Sequence, residues 1–179
     1  YFSKPDFTGD AIRRVDASVD FDWKGREPAT GVSSNNFSVK WNGQIKPTSS
    51  GEQIFNLTLE GNARLWIGGK LVLEATQQQA GTLASQPVSL TAGRSYDLAL
   101  EYVATGTNPA IKLQWSNAGT PPALVPSAQL APPRLTTPPG GFSDKKNIPR
   151  GVLTWSGSFL AAQIATADDT ALHFAEPLK

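Results

Sequence analysis

Apolar and polar positions alternate with a period of two in several short stretches of this chain. Phe37, Val39 and Trp41 are separated by Ser38 and Lys40, Phe55, Leu57 and Leu59 by Asn56 and Thr58, and Ile111, Leu113 and Trp115 by Lys112 and Gln114. Successive side chains of a strand point to opposite faces, so each stretch predicts a half-buried β-strand. Leu65 and Ile67 continue the period up to Gly68-Gly69, which supplies the positive φ angles of a two-residue hairpin turn before a strand at Lys70 to Leu73. Pro47 to Gly51, Thr91 to Gly93 and Thr105 to Pro109 read as turn-rich connections. No stretch carries the 3.6-residue period of an amphipathic helix. The pattern predicts an all-β chain of many short strands.

Proline then changes the picture. Residues 122, 126, 132, 133, 138 and 139 are proline and 140 and 141 are glycine, a spacing that cannot continue inside a sheet and predicts a linker or strap over 132–150. A short β segment is expected over 151–179, with strands at Gly151 to Trp155, Ser158 to Thr166 and Ala171 to Phe174 around turns at Ser156-Gly157 and Asp168-Asp169. Two or three strands are marginal alone, so this piece is expected to pack on the sandwich or to belong to a truncated neighbouring domain.

Composition narrows the function. The 16 Lys and Arg balance the 15 Asp and Glu to a net charge of +1, leaving no field to draw in a phosphate backbone, so nucleic acid is not expected as a partner. No run reaches the ~20 apolar residues of a membrane helix, and membrane insertion is not expected. No charged-then-apolar leader precedes Tyr1, and the missing initiator Met suggests a processed or excised chain. Cysteine is absent, which removes disulfides, thiolate metal sites and a cysteine nucleophile together.

Catalytic inventory is thin. His173 is the single histidine, so a Ser-His-Asp arrangement would depend on it alone, and no nucleophile motif accompanies it. Asp20 and Asp22 share one face of a strand, where an acid pair competes with plain surface salt bridges. Asp168 and Asp169 form a weak calcium candidate, with an ordinary turn favoured because calcium wants 6–8 oxygens. Asn36-Phe37-Ser38 and Asn56-Leu57-Thr58 fit glycosylation sequons that are expected to be incidental in strands. The chain is not expected to be an enzyme.

From Tyr1 to about Leu130 the chain resembles the protective-antigen domain family. The matching stretches run in order: Tyr1-Phe2 with Pro5 to Gly9, Val19 to Trp23, Asn36 to Gly43, Ser50-Gly51 and Phe55, then Ala63 to Val72. Leu90, Ala92-Gly93, Tyr96, Leu98, Glu101-Tyr102, Lys112 to Trp115, and Val125-Pro126 with Leu130 complete them. The resemblance implies an antiparallel two-sheet β-sandwich over residues 1–131, of a kind found in exported proteins, secreted, periplasmic or at the cell surface, often with a carbohydrate-binding role and no reaction of its own. In the family's adhesin branch two adjacent aspartates hold a calcium ion that receives sugar hydroxyls. The aligned residues here are Glu60 and Gly61, so one carboxylate remains and no cofactor is expected. The family's first strand begins before the Tyr1 position, and a strand of 151–175 is expected to cover the edge this leaves.

Sugar sites combine aromatic faces with amides and carboxylates. Trp41 and Trp115 share phase with apolar residues and are expected in the core, Trp23 in the core or at its rim, and Trp155 is unassigned. Trp66 lies out of phase with Leu65 and Ile67, on the face of Arg64, and is the tryptophan expected to be partly exposed. The candidate carbohydrate site is therefore a loop region of Glu60, Asn62 and Arg64 flanked by Trp66, with Asp22 and Asn36 as further contributors and Glu60 as a weak cation ligand. Two functions remain open: a glycan-binding module of a larger protein, or a structural or protein-interaction module that joins neighbouring domains and has no ligand.

Overall fold

The computed structural model describes residues 1–117 and 119–134. The chain divides into two units between Thr136 and Thr137, and all described residues belong to the first. The linker and β segment expected over 132–150 and 151–179 therefore lie almost wholly outside the described residues, as do Trp155, His173, Asp168 and Asp169.

Among the described residues nine strands follow one another: β1 Asp20–Asp22, β2 Ser38–Ile45, β3 Gly51–Ile67, β4 Lys70–Ala84, β5 Val88–Leu90, β6 Tyr96–Val103, β7 Ala110–Asn117, β8 Ala123–Leu124 and β9 Leu130–Ala131. A 3₁₀ turn spans Ser127–Gln129. All pairings are antiparallel, in the order β1-β7-β3-β6-β2-β9, with β4 and β5 on the other edge of β3 and β8 on β7. The two layers are halves of one continuous sheet. The first half of β3 pairs with β7 through Glu60–Ala110, and its second half pairs with β6 from Asn62–Val103 onward. β3 thus passes from one layer to the other at Gly61, where the β3–β4 register also shifts.

Glycine fits that corner for two reasons. Gly61 has φ 140°, and a Cβ there would lie 2.5 Å from the Val103 carbonyl oxygen and 2.8 Å from Tyr102 Cε2. The hairpin predicted at Gly68-Gly69 is present with both φ angles positive, 59° and 80°.

Odd positions of β3 from Phe55 to Ile67 face inward, and the even positions from Thr58 to Trp66 face outward. The inward set meets Val39 and Ile45 of β2, Leu98, Leu100 and Tyr102 of β6, and Ile111 and Leu113 of β7 in one core. Aromatic rings bridge the layers: Trp23 stacks on Phe21 and Tyr102, and Phe21 stacks on Trp41, with centroids 5.3, 5.6 and 5.7 Å apart. At the rim a nearly buried Asp16 accepts hydrogen bonds from Trp41 Nε1 (2.8 Å), the Tyr1 hydroxyl (2.8 Å) and Arg14 Nε (2.7 Å). Burial, together with the Asp16 carboxylate, lifts the Tyr1 phenol above its ordinary range.

Candidate functional site

Three of the four described tryptophans have structural work for their rings. Trp23 packs against Phe21, Phe37 and Tyr102, Trp41 contacts Tyr1 and Phe21 and bonds Asp16, and Trp115 packs on Phe55. Trp23 is buried, while Trp41 and Trp115 are half-buried against the core. Trp66 differs: it is half-buried on the outward side of β3, and among the described residues its ring meets no aromatic partner and its indole N–H has no acceptor.

Register shows what surrounds it. Trp66 pairs with Ala99 of β6, which pairs with Asn42 of β2, and on its other side it pairs with Leu71 of β4, an exposed leucine. The adjoining outward row reads Lys40, Glu101, Arg64, Glu74 across the same four strands. Lys40 Nζ lies 2.8 Å from Glu101 Oε1, and Arg64 Nε lies 2.6 Å from Glu74 Oε1. Ala99 is the short side chain beside the indole, so a shallow depression of about 240 Å³ opens there, lined by Lys40, Trp41, Asn42, Trp66, Ala99, Leu100 and Glu101. The Asn42 side-chain amide makes no hydrogen bond among the described residues. Lys40 Nζ also lies 4.3 Å from the Phe7 ring centroid, which holds the ammonium toward the same face.

Glu60, Asn62, Arg64 and Trp66 are distributed along one strand, β3, rather than in a loop. The loop expected at Glu60 to Arg64 is a correction: these residues are interior to β3, and the interruption of large apolar residues reflects the small inward residues Gly61 and Ala63 where the strand bends over Tyr102. Asn62, Arg64 and Trp66 share the outward side of the second layer. Glu60 stands at the bend, and its Oε1 accepts the Asn108 N–H at 3.1 Å while the chain at Gly106 packs against the carboxyl group. Asp22 is exposed on the first layer, two strands from Glu60 through Ala110, and accepts from Lys24 N at 3.2 Å. Asn36 is exposed with φ 57°, two residues before β2 begins at Ser38. Neither Asp22 nor Asn36 lines the Trp66 depression. Lys40, Asn42, Ala99 and Glu101 were not singled out from the sequence, although each lies out of phase with apolar neighbours.

The residues present at the bend do not fit the calcium ion of the family's adhesin branch. Gly61 offers no carboxylate, and the space its side chain would enter is filled by the Tyr102 ring and the Val103 carbonyl. The Glu60 carboxylate is engaged by the 104–109 connection, and its backbone carbonyl accepts the Tyr102 hydroxyl. Burial, with Glu60 nearby, keeps that phenol above its ordinary range. Among the described residues no group of three or more His, Cys, Asp or Glu could hold a metal, and no helix is long and apolar enough to cross a membrane.

Comparison with known proteins places this geometry. The chain is similar to the anti-sigma-I factor RsgI3 of Acetivibrio thermocellus, 31% identical over 132 residues that cover 74% of this chain and 20% of that protein. It is also similar to two solved structures. One is an anti-sigma factor domain-containing protein from Clostridium clariflavum, with TM-score 0.69, 34% identity and coverage of 76% and 46% of the two chains. The other is an anti-sigma factor domain-containing protein with TM-score 0.70, 28% identity and coverage of 76% and 48%. The chain thus spans a fifth of the curated relative and just under half of each solved chain. The family model of the PA14 domain matches residues 1–127, and the chain belongs to the PA14 domain family.

Proposed function

We propose that this chain is a non-catalytic carbohydrate-binding module of a larger exported or surface protein, and that it takes its ligand on the outward face around Trp66. The observation that carries this reading is the indole itself. Its ring and N–H are uncommitted among the described residues, beside a shallow depression and within reach of Lys40, Asn42 and Glu101. The CH face of a sugar ring can stack on such an indole while its hydroxyls pair with the amide and charged groups.

Similarity to anti-sigma factor proteins supports a specific setting, in which the module reports ligand to a regulatory protein. It also favours a second reading, a protein-interaction module with no glycan of its own. β4 supports that alternative too, because its outer edge pairs with no other strand among the described residues.

Affinity gel electrophoresis of the 179-residue chain through a panel of soluble polysaccharides separates the two. Retardation by at least one polysaccharide, weakened about tenfold or more in Trp66→Ala, is expected from the loss of an aromatic platform. Retardation by none, or equal retardation of the variant, overturns the glycan reading in favour of the second.

A further inference from the structure

We propose that the Trp66 face selects uncharged polysaccharide and turns polyanionic chains away, an inference that rests on the glycan-binding reading and adds its substrate class. The four charged side chains beside Trp66 alternate in sign across β2, β6, β3 and β4, as Lys40, Glu101, Arg64 and Glu74. At a strand spacing of about 4.8 Å the row extends roughly 14 Å. Each cation already has its anion, at 2.8 and 2.6 Å.

A surface built for uronate or sulfate would present its lysine and arginine unpaired. Here a carboxylate-bearing sugar meets Glu101 or Glu74 beside either cation, so attraction and repulsion cancel at ligand distance. Uncharged hydroxyls meet no such opposition. Lys40 and Arg64 keep donors beyond those used in their pairs, Glu101 and Glu74 keep acceptor sites, and Asn42 offers both. In the next row Trp66, Ala99 and Leu71 present an apolar strip that complements the CH face of a flat, neutral chain. A row of fixed, alternating charges therefore works as a hydrogen-bonding rail without net charge.

The test compares neutral and anionic members of the same backbone: hydroxyethylcellulose with carboxymethylcellulose, arabinoxylan with glucuronoxylan, and fully methyl-esterified polygalacturonate with polygalacturonate. The native chain, Trp66→Ala and the double variant Glu74→Gln/Glu101→Gln are run at low and high salt, with circular dichroism to confirm that each is folded. The native chain is expected to be retarded by a neutral member, insensitively to salt, and at least about tenfold less by its anionic partner. The double variant uncovers both cations and is expected to gain about tenfold in retention on the anionic member, a gain that high salt removes. Trp66-dependent retention of the native chain that is equal or stronger on the anionic members overturns the selectivity and leaves the glycan-binding reading standing. No Trp66-dependent retention on any of the six overturns both.

Discussion

Gly61 gives a quantitative test of why the corner of β3 departs from the calcium-holding pattern that the resemblance to the family's adhesin branch implies. Its φ of 140° is one that side chains with a Cβ rarely adopt, and the Cβ would also meet the Val103 carbonyl at 2.5 Å and Tyr102 Cε2 at 2.8 Å. Gly51 is a matched control, with φ 139° and nothing within 4 Å of its Cβ position. Backbone strain costs each alanine variant about 1–3 kcal/mol. Forcing a methyl into a packed corner adds about 1–3 kcal/mol to Gly61→Ala alone. Total stability is about 5–15 kcal/mol, so the difference is measurable. In urea unfolding followed by tryptophan fluorescence, with slopes of about 1–3 kcal/mol/M, the Gly61→Ala midpoint is expected about 1 M below that of Gly51→Ala. Gly61→Asp restores the family's second carboxylate and is expected to be less stable still, with no recovery on adding calcium and no effect of chelator on either protein. Equal midpoints for the two alanine variants, or a calcium-dependent rise in Gly61→Asp, would refute the steric reasoning.

Two further outcomes follow from buried hydrogen bonds. Asp16→Ala removes the acceptor of the Trp41 indole N–H and the Tyr1 hydroxyl and the carboxylate paired with Arg14, which keeps its bonds to the Pro28 carbonyl and the Tyr1 hydroxyl, so chemical denaturation is expected to show a loss of about 1–3 kcal/mol, and Asp16→Asn a smaller one. Burial holds the Tyr102 phenol above its unfolded value of about 10, so its contribution is intact below that pH and is lost as pH rises toward the folded-state value. Tm is therefore expected to fall above about pH 10, with phenolate absorbance lagging that of free tyrosine, and Tyr102→Phe is expected to flatten the alkaline fall while lowering stability at neutral pH through its lost bond to the Glu60 carbonyl.

Much of the fold is legible from local pattern, and the failures have local causes. The alternations at Phe37 to Trp41, Phe55 to Leu59 and Ile111 to Trp115 mark β2, β3 and β7 because one face of each is buried. β4 extends to Ala84, well past the Leu73 that the pattern predicts, because its later residues lack large apolar side chains at alternate positions and its partner β3 supplies the order. The continuity of β3 is hidden in the same way, since Gly61 and Ala63 occupy inward positions without the bulk that marks a core face. For the candidate site, the outward phase of Trp66 follows from Leu65 and Ile67. Its neighbours do not, because Lys40, Asn42, Ala99 and Glu101 reach it only through the β2–β6–β3 register, a non-local fact absent from any short stretch.

The position of Trp66 is itself the argument for function. A two-layer sandwich buries one face of each layer, and the outward rows of the second layer carry Lys40, Asn42, Asp97, Glu101 and Arg64, as solubility requires. Trp66 breaks that pattern. Its partner across β6 is Ala99, too small to cover the ring, and nothing among the described residues uses its N–H. Local rules broken without structural compensation are expected at functional sites, which is why the proposed binding surface is placed at Trp66. The bend at Gly61 shows the reverse: the position where the resemblance implies a cation is here closed by Tyr102, Val103 and the Glu60–Asn108 hydrogen bond. One end of the strand has gained packing and the other has left an aromatic face open, which moves the expected recognition surface from the corner of β3 to its outward side.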